Sequence, residues 1–236
     1  RMLILKDLYK DMDGIILACG PSLKDCNLKK LKEKENDLII ISVKTATNKL
    51  LDNNIIPDVC LFSEWMNSLK HIYTLEYCKK KYNKLFTVYN HDNPSKDNKS
   101  FIFNTKPWRS CYNEMCDHNL TFFNIKEYED LDYIKFDKNF ILNEFLHVKP
   151  GHMMLELALP MMLHLGCKNI YTYGWDGSKK NSVYFDGRKL KNTDETQVHE
   201  FIYVKHILKM FNKQNIGLFK CSSRSPNELP LKNILI

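Results

Sequence analysis

Gly20, Pro21 and Ser22 follow directly on the apolar run 15–18 and on Cys19. A buried strand that ends in Gly-Pro must bend sharply, and a glycine there lets another group approach the bare backbone. Ser22 stands where it can cap a following helix, whose first N–H groups then face outward. That arrangement receives an anion such as a phosphate. An ordinary strand-to-helix turn is the alternative reading. The pattern is neither GxGxxG nor a Walker loop with its lysine, so neither a dinucleotide site nor a P-loop is indicated.

Other residues with chemical potential stand at comparable places. Lys44 lies just past the apolar run of "DLIIISVK", and Ser63-Glu64 just past that of "PDVCLFSE". If these runs are parallel strands, their ends share one rim, where a lysine pairs with phosphate or is simply solvated. "VKPGHMM" begins a long helical pattern at Pro150, Gly151 and His152, a second anion-friendly helix start; His152 touches a ligand there or caps the turn. "YGWDGSKKNSVYFDG" gathers Trp175, Asp176, Tyr184 and Asp186 behind another strand. Trp and Tyr stack on a base or sugar and hydrogen-bond through their polar tips, or they pack within a loop. His199, beside Glu200 on an amphipathic pattern, has the titration range of a general base, although a lone helical histidine also serves structure.

Two metal motifs fail on context. Asp130-Leu131-Asp132 spells the DxD that holds a divalent cation in many glycosyltransferases, but "IKEYE" before it is not the apolar strand such a motif needs. Cys111, Cys116 and His118 have the wrong spacing for a zinc finger and no evident fourth ligand. No metal site is expected.

The elements that position these residues read clearly. "GIILACG", "DLIIISVK", "PDVCLFSE", "KLFTVYN", "KNIYTYGWD" and "IGLFKCSS" are strand signals, apolar on both faces as parallel strands between helices are. "SLKDCNLKKLKEK" and "TATNKLLDNN", the latter capped by Thr45 or Thr47, read as helices after the first two strands. "HMMLELALPMMLHLG" reads as a helix kinked at Pro160 and stopped at Gly166. "DETQVHEFIYVKHILKMFNKQN" is amphipathic, with Val198, Phe201, Ile202, Val204, His206, Leu208 and Met210 on one face. Strands alternating with helices predict an α/β protein with a doubly wound, mostly parallel sheet, which binds ligands beyond the carboxyl ends of its strands. Residues 91–146, rich in Asn, Asp, Lys and aromatics, read as an irregular insertion or lid on a single domain spanning 1–236.

The 236 residues suffice for a core without staples. Lys and Arg number 35 against 28 Asp and Glu, a net charge of +7 that favours anionic ligands. The charges are too dispersed for a nucleic-acid stripe, so no nucleic-acid partner is expected. The eight cysteines are scattered, mostly in apolar runs, as buried thiols are. No secretory pattern opens the chain and no apolar run spans a bilayer, so a cytoplasmic protein is expected, and Arg1 suits a piece of a longer chain.

Taken together, "GIILACGPSLKD", "DLIIISVKTATNKLLDNNIIPDVCLFSE" and "PGHMMLELALPMMLHLGCKNIYTYGWDG" resemble a superfamily of Rossmann-like proteins. It contains the bacterial sialyltransferases of the Campylobacter type, the motility-associated glycosyltransferases that decorate flagellin, and the archaeal 6-hydroxymethylpterin diphosphokinase-like domain. The resemblance covers residues 14–65 and 148–236. It implies a metal-independent glycosyltransferase that moves a sialic-like nonulosonic acid from a CMP-activated donor to a glycan hydroxyl, with no cofactor beyond the donor. "NSVYFDG" is similar to the sialyltransferase stretch whose tyrosine helps the phosphate leave, which implies that role for Tyr184. The base histidine falls by position on His199; a second alignment, anchored on Asn192 to Asp194, places Lys189 there instead. Where those enzymes hold the nucleotide with asparagines, this chain carries Cys19, Lys44 and Ser63, so a different nucleotide or sugar is open. Lys44 also suits the diphosphokinase-like alternative, which uses Mg²⁺ and ATP and needs rim carboxylates, for which Glu64, Asp176 and Asp186 are the candidates. A non-catalytic nucleotide-binding module is a third reading. The implied partners are the nucleotide-sugar donor and a glycan acceptor, with peripheral membrane association and a homo-oligomer left open.

Overall fold

The computed structural model describes residues 7–61, 154, 158–176, 183–187, 204–225 and 228–235, together with the backbone of 87–90 and 121–124. Five strands form one parallel sheet: β1 (Asp13–Leu17), β2 (Leu38–Val43), β3 (Val59–Leu61), β6 (Asn169–Tyr173) and β7 (Gly217–Lys220), in the order β3-β2-β1-β6-β7. Two further strands, β4 (Thr87–Asn90) and β5 (Thr121–Asn124), pair in parallel with each other. All the expected strands are present. β5 was not expected: "TFFN" lies inside the stretch read as irregular, and four residues of β-branched and aromatic character are too short a run to stand out among polar neighbours.

The sheet is wound on both faces because its strands are apolar on both faces. One layer joins Ile16, Ile39, Ile41 and Val59 to helices α3 (Leu159–His164) and α4 (Val204–Lys213) through Leu159, Met162, Val204 and Phe211. The other joins Ile15, Leu17, Ile40, Tyr171 and Tyr173 to Leu23, to Leu31 of α1 (Leu28–Glu33), and to Ala46 and Leu50 of α2 (Ala46–Leu51). Of the predicted face of α4, Val204 is buried and Leu208 half-buried; Phe211 joins them. Strand order runs outward from β1 in both directions, so the chain reverses its winding between β1 and β6, the place where such sheets open a ligand crevice.

The first helical pattern is two elements, not one. A 3-10 turn, Pro21–Asp25, follows β1 with Gly20 as its cap, and α1 begins only after Asn27, whose side chain accepts a hydrogen bond from the Lys30 N–H at 3.1 Å. Ser22 therefore caps nothing. Its hydroxyl is engaged elsewhere, and Asn27 is the stronger local cap. Thr45 precedes α2 without a side-chain cap bond, and Thr47 turns to Ser42, Oγ to Oγ1 2.8 Å. Pro160 occupies the first turn of α3, where no N–H is required, and the backbone just before it, at Met154 and Ala158, is wound in the wider π form. Gly166, at φ +88°, ends the helix as expected.

Candidate functional site

The residues after β1, β2 and β6 meet on the carboxyl rim. Between β1 and β6 the two chains are knitted closely: Ala18 donates its N–H to Tyr173 O and Gly20 donates to Gly174 O, both at 2.8 Å. Side chains are excluded here. A Cβ on Gly174 would stand 2.1 Å from Ala18 O at a backbone φ of +72°, and one on Gly20 would stand 2.5 Å from both Gly174 O and Asp176 Oδ2. The glycine in Gly-Pro-Ser thus serves contact with the protein's own neighbouring strand.

Ser22 is wholly buried and faces Asp176. Its N–H donates to Asp176 Oδ2 at 2.6 Å, its hydroxyl donates to Asp176 Oδ1, and Gly174 N–H donates to Ser22 Oγ at 2.9 Å. The N–H expected to greet an external anion is therefore taken by an internal carboxylate. The Leu23 N–H turns back to Gly20 O at 3.1 Å. Trp175, between Gly174 and Asp176, is buried in the α3–α4 layer, and its carbonyl accepts from Ser225 Oγ at 2.9 Å. It lies on the opposite layer from Tyr184, which is half-buried against the α1–α2 side. The structure thus separates two aromatics that the sequence grouped.

Cys19 links three rim segments. Its thiol donates to Val43 O at 3.1 Å and lies 3.3 Å from Thr45 Oγ1, and its carbonyl accepts the Phe185 N–H at 2.9 Å. Lys44 is half-buried in left-handed backbone at φ +50°, with its N–H donated to Leu61 O at 2.7 Å. The "PD" before β3 has a structural purpose: Asp58 Oδ2 accepts the Ile40 N–H and the Asp58 N–H donates to Ile40 O, each at 2.8 Å.

The 3-10 turn, α2 and the segment 183–187 shape a cleft of about 410 Å³, lined by Lys24, Thr45, Asn48, Lys49, Asp52, Asn53, Phe185 and Asp186. The Lys49 ammonium donates to Leu23 O at 2.9 Å and stands 5.5 Å from the centre of the Phe185 ring. Burial pushes its titration down; the Lys24 charge pushes the same way, against Cys26 and Asp25. On the far side of the 3-10 turn, Asp25 accepts from Ser222 Oγ at 2.5 Å and pairs with Arg224 at 3.3 Å.

Sequence reasoning missed Lys49, Asn48, Phe185 and Arg224. The spacing Thr45, Asn48, Lys49, Asp52 was the available signal, since it places four polar residues on one helix face. Of the expected site residues, Cys19, Gly20, Pro21, Ser22, Lys44, Trp175, Asp176, Tyr184 and Asp186 have been placed; Ser63, Glu64, Pro150, Gly151, His152 and His199 lie outside the described residues. Among the described residues, no three His, Cys, Asp or Glu side chains converge as metal ligands, and no helix is long and apolar enough to cross a membrane.

A family model described as 6-hydroxymethylpterin diphosphokinase MptE-like matches residues 2–182. Tyr184, Asp186 and His199 fall beyond its end. No curated protein sequence matches the chain. Among solved structures it is similar to the MAf glycosyltransferase from Magnetospirillum magneticum AMB-1, at 15% identity and a TM-score of 0.46, over 97% of this chain and 34% of that one. The chain thus spans about a third of that protein's length.

Proposed function

The chain belongs to the 6-hydroxymethylpterin diphosphokinase MptE-like family, and from that premise we propose that it is a transferase acting on a nucleotide-activated donor. The first reading is a glycosyltransferase that carries a sialic-like nonulosonic acid from a CMP donor to a glycan hydroxyl without a metal. The observation that supports it is the rim itself: Cys19, Lys44–Thr45 and the 183–187 segment meet beside a cleft of about 410 Å³, within the range of small-molecule sites. In this reading Lys44 and Ser63 hold the nucleotide beside Gly20 and Pro21. Asp176 acts through Ser22 as a positioning residue. The Gly151 helix start and Tyr184 meet the charge of the departing phosphate, and His199 takes the proton of the acceptor hydroxyl. In this reading residues 1–236 act as one cytoplasmic catalytic unit, with donor and glycan as its partners.

The family's description favours a second reading, a diphosphotransfer from ATP with Mg²⁺ to a pterin-like alcohol. Both Asp176 oxygens are engaged by Ser22, and Asp186 lines the cleft, where this reading would place such an ion.

Thermal unfolding with CMP, CDP, UDP, GDP and ATP, each with and without Mg²⁺, separates the two, because a ligand that binds only the folded state raises the midpoint. A metal-independent rise with CMP is expected. A rise confined to ATP with Mg²⁺ would replace the first reading by the second.

A further inference from the structure

We propose that the cleft between the 3-10 turn and α2 is a seat for a phosphorylated sugar ring, with the phosphate on Lys24 and Lys49. This deepens the donor reading and rests on it for the source of the ligand, the ribose phosphate of a nucleotide; a free sugar phosphate has the same chemistry.

Three observations carry the assignment. First, the backbone N–H of the neighbouring Gly-Pro-Ser turn is taken by Asp176, so an anion arriving at this rim finds its donors elsewhere. Second, Lys24 and Lys49 line one cleft and repel each other, and Lys49 is further penalised by burial. An anion between them relieves both costs. The Lys49 ammonium gives one N–H to Leu23 O, and an ammonium carries three. Third, the remaining lining suits a sugar rather than a bare ion. Asn48 and the carboxylates of Asp52 and Asp186 line the same space. These are acceptors for ring hydroxyls, which a bare phosphate cannot offer them. Phe185 adds an apolar surface for the ring, held in place by its N–H bond to Cys19 O and by the Lys49 cation. The volume fits a ligand of this size.

Isothermal titration of the protein with CMP, ribose 5-phosphate, glucose 6-phosphate and inorganic phosphate tests the seat, using Lys24→Gln, Lys49→Gln and, as control, Lys29→Gln. Lys24 and Lys29 are exposed, so their variants keep the test sound even if Lys49→Gln fails to fold. The expected result is binding of a phosphorylated sugar about tenfold or more weaker in Lys24→Gln and unchanged in Lys29→Gln, the scale of a lost charge-assisted contact. Inorganic phosphate should bind more weakly than any of the sugars. CMP tighter than the free sugar phosphates identifies a nucleotide source; glucose 6-phosphate tighter than CMP keeps the seat and counts against the donor reading. CMP binding that is equal in wild type, Lys24→Gln and Lys49→Gln overturns the seat and leaves the donor reading standing. No binding of any phosphorylated sugar overturns the seat as well.

Discussion

Asp176 receives both the backbone N–H and the hydroxyl of Ser22, a residue 154 positions earlier in the chain. This pair closes the crevice between β1 and β6 from within. It holds the 3-10 turn against the end of β6, and through that turn it sets where Lys24 and the Leu23 carbonyl stand.

Replacing Asp176 by Ala leaves the Ser22 N–H and hydroxyl buried without their acceptor. A hydrogen bond to a charged group contributes about 1.5–3 kcal/mol, and two are lost. Urea unfolding of Asp176→Ala is expected to show a loss of at least about 2 kcal/mol. Ser22→Ala, which strands the Gly174 N–H, should lose about 1–3 kcal/mol. A loss under half a kilocalorie in both, by the order-of-magnitude scale for surface changes, would show that the pair does not hold the turn.

Gly174→Ala should be worse tolerated than Ala at an ordinary turn glycine. The added methyl meets the Ala18 carbonyl at 2.1 Å, and the backbone sits at φ +72°. Backbone has no rotamer through which to yield. Gly187→Ala is the matched control: its φ is +86°, but nothing stands within 4 Å of the new Cβ. Both carry the left-handed penalty of about 1–2 kcal/mol. Thermal midpoints should therefore place Gly174→Ala well below Gly187→Ala, and equal midpoints would remove the close approach as a constraint.

Stability should fall as pH rises above about 9. Burial pushes the thiols of Cys26 and Cys167 from the usual 9.0 up to about 12, and that of Cys221 to about 11. These groups stay protonated in the folded chain while the unfolded chain loses its protons. Their contribution is thus complete below pH 9 and is lost between there and 12. Tyr9, Tyr171 and Tyr173 are raised as well and act in the same direction at higher pH. Lys49 is lowered and opposes them. Urea midpoints measured from pH 8 to 11 should decline, and a flat profile would contradict the burial of these thiols. Peptide mapping after iodoacetamide at pH 8 should find Cys26 and Cys167 unmodified until urea is added.

Activity separates the proposed base from the proposed binding residues. If His199 takes the acceptor proton, His199→Ala lowers kcat by about 10²–10⁴ with little change in donor affinity. Lys44→Ala should instead weaken donor binding. Equal turnover in His199→Ala moves the base elsewhere, and Lys189→Ala is the next variant to assay.

Much of the frame is legible in the sequence because it is set locally. Runs such as "DLIIISVK" are apolar on both faces, so they must lie between two layers of helices, and alternation with helices makes the sheet parallel. Gly166 ends its helix for a reason contained in a few residues. The partners of rim residues have no such local origin. Ser22 follows a Gly-Pro turn and looks ready to cap a helix; that its donors go to Asp176 depends on β6 lying beside β1, which only the folded sheet brings about. Trp175 and Tyr184 are nine positions apart, yet they pack on opposite layers: Tyr173 still lies with Tyr184 on the α1–α2 side, and the left-handed backbone at Gly174, φ +72°, interrupts the alternation just before Trp175. Phe185 and Lys49 belong to segments far apart in sequence, and the cleft they shape exists only where those segments meet. Periodicity and turn chemistry therefore determined the architecture. Tertiary contact decided which rim groups bond to the protein itself and which line the space left for a ligand.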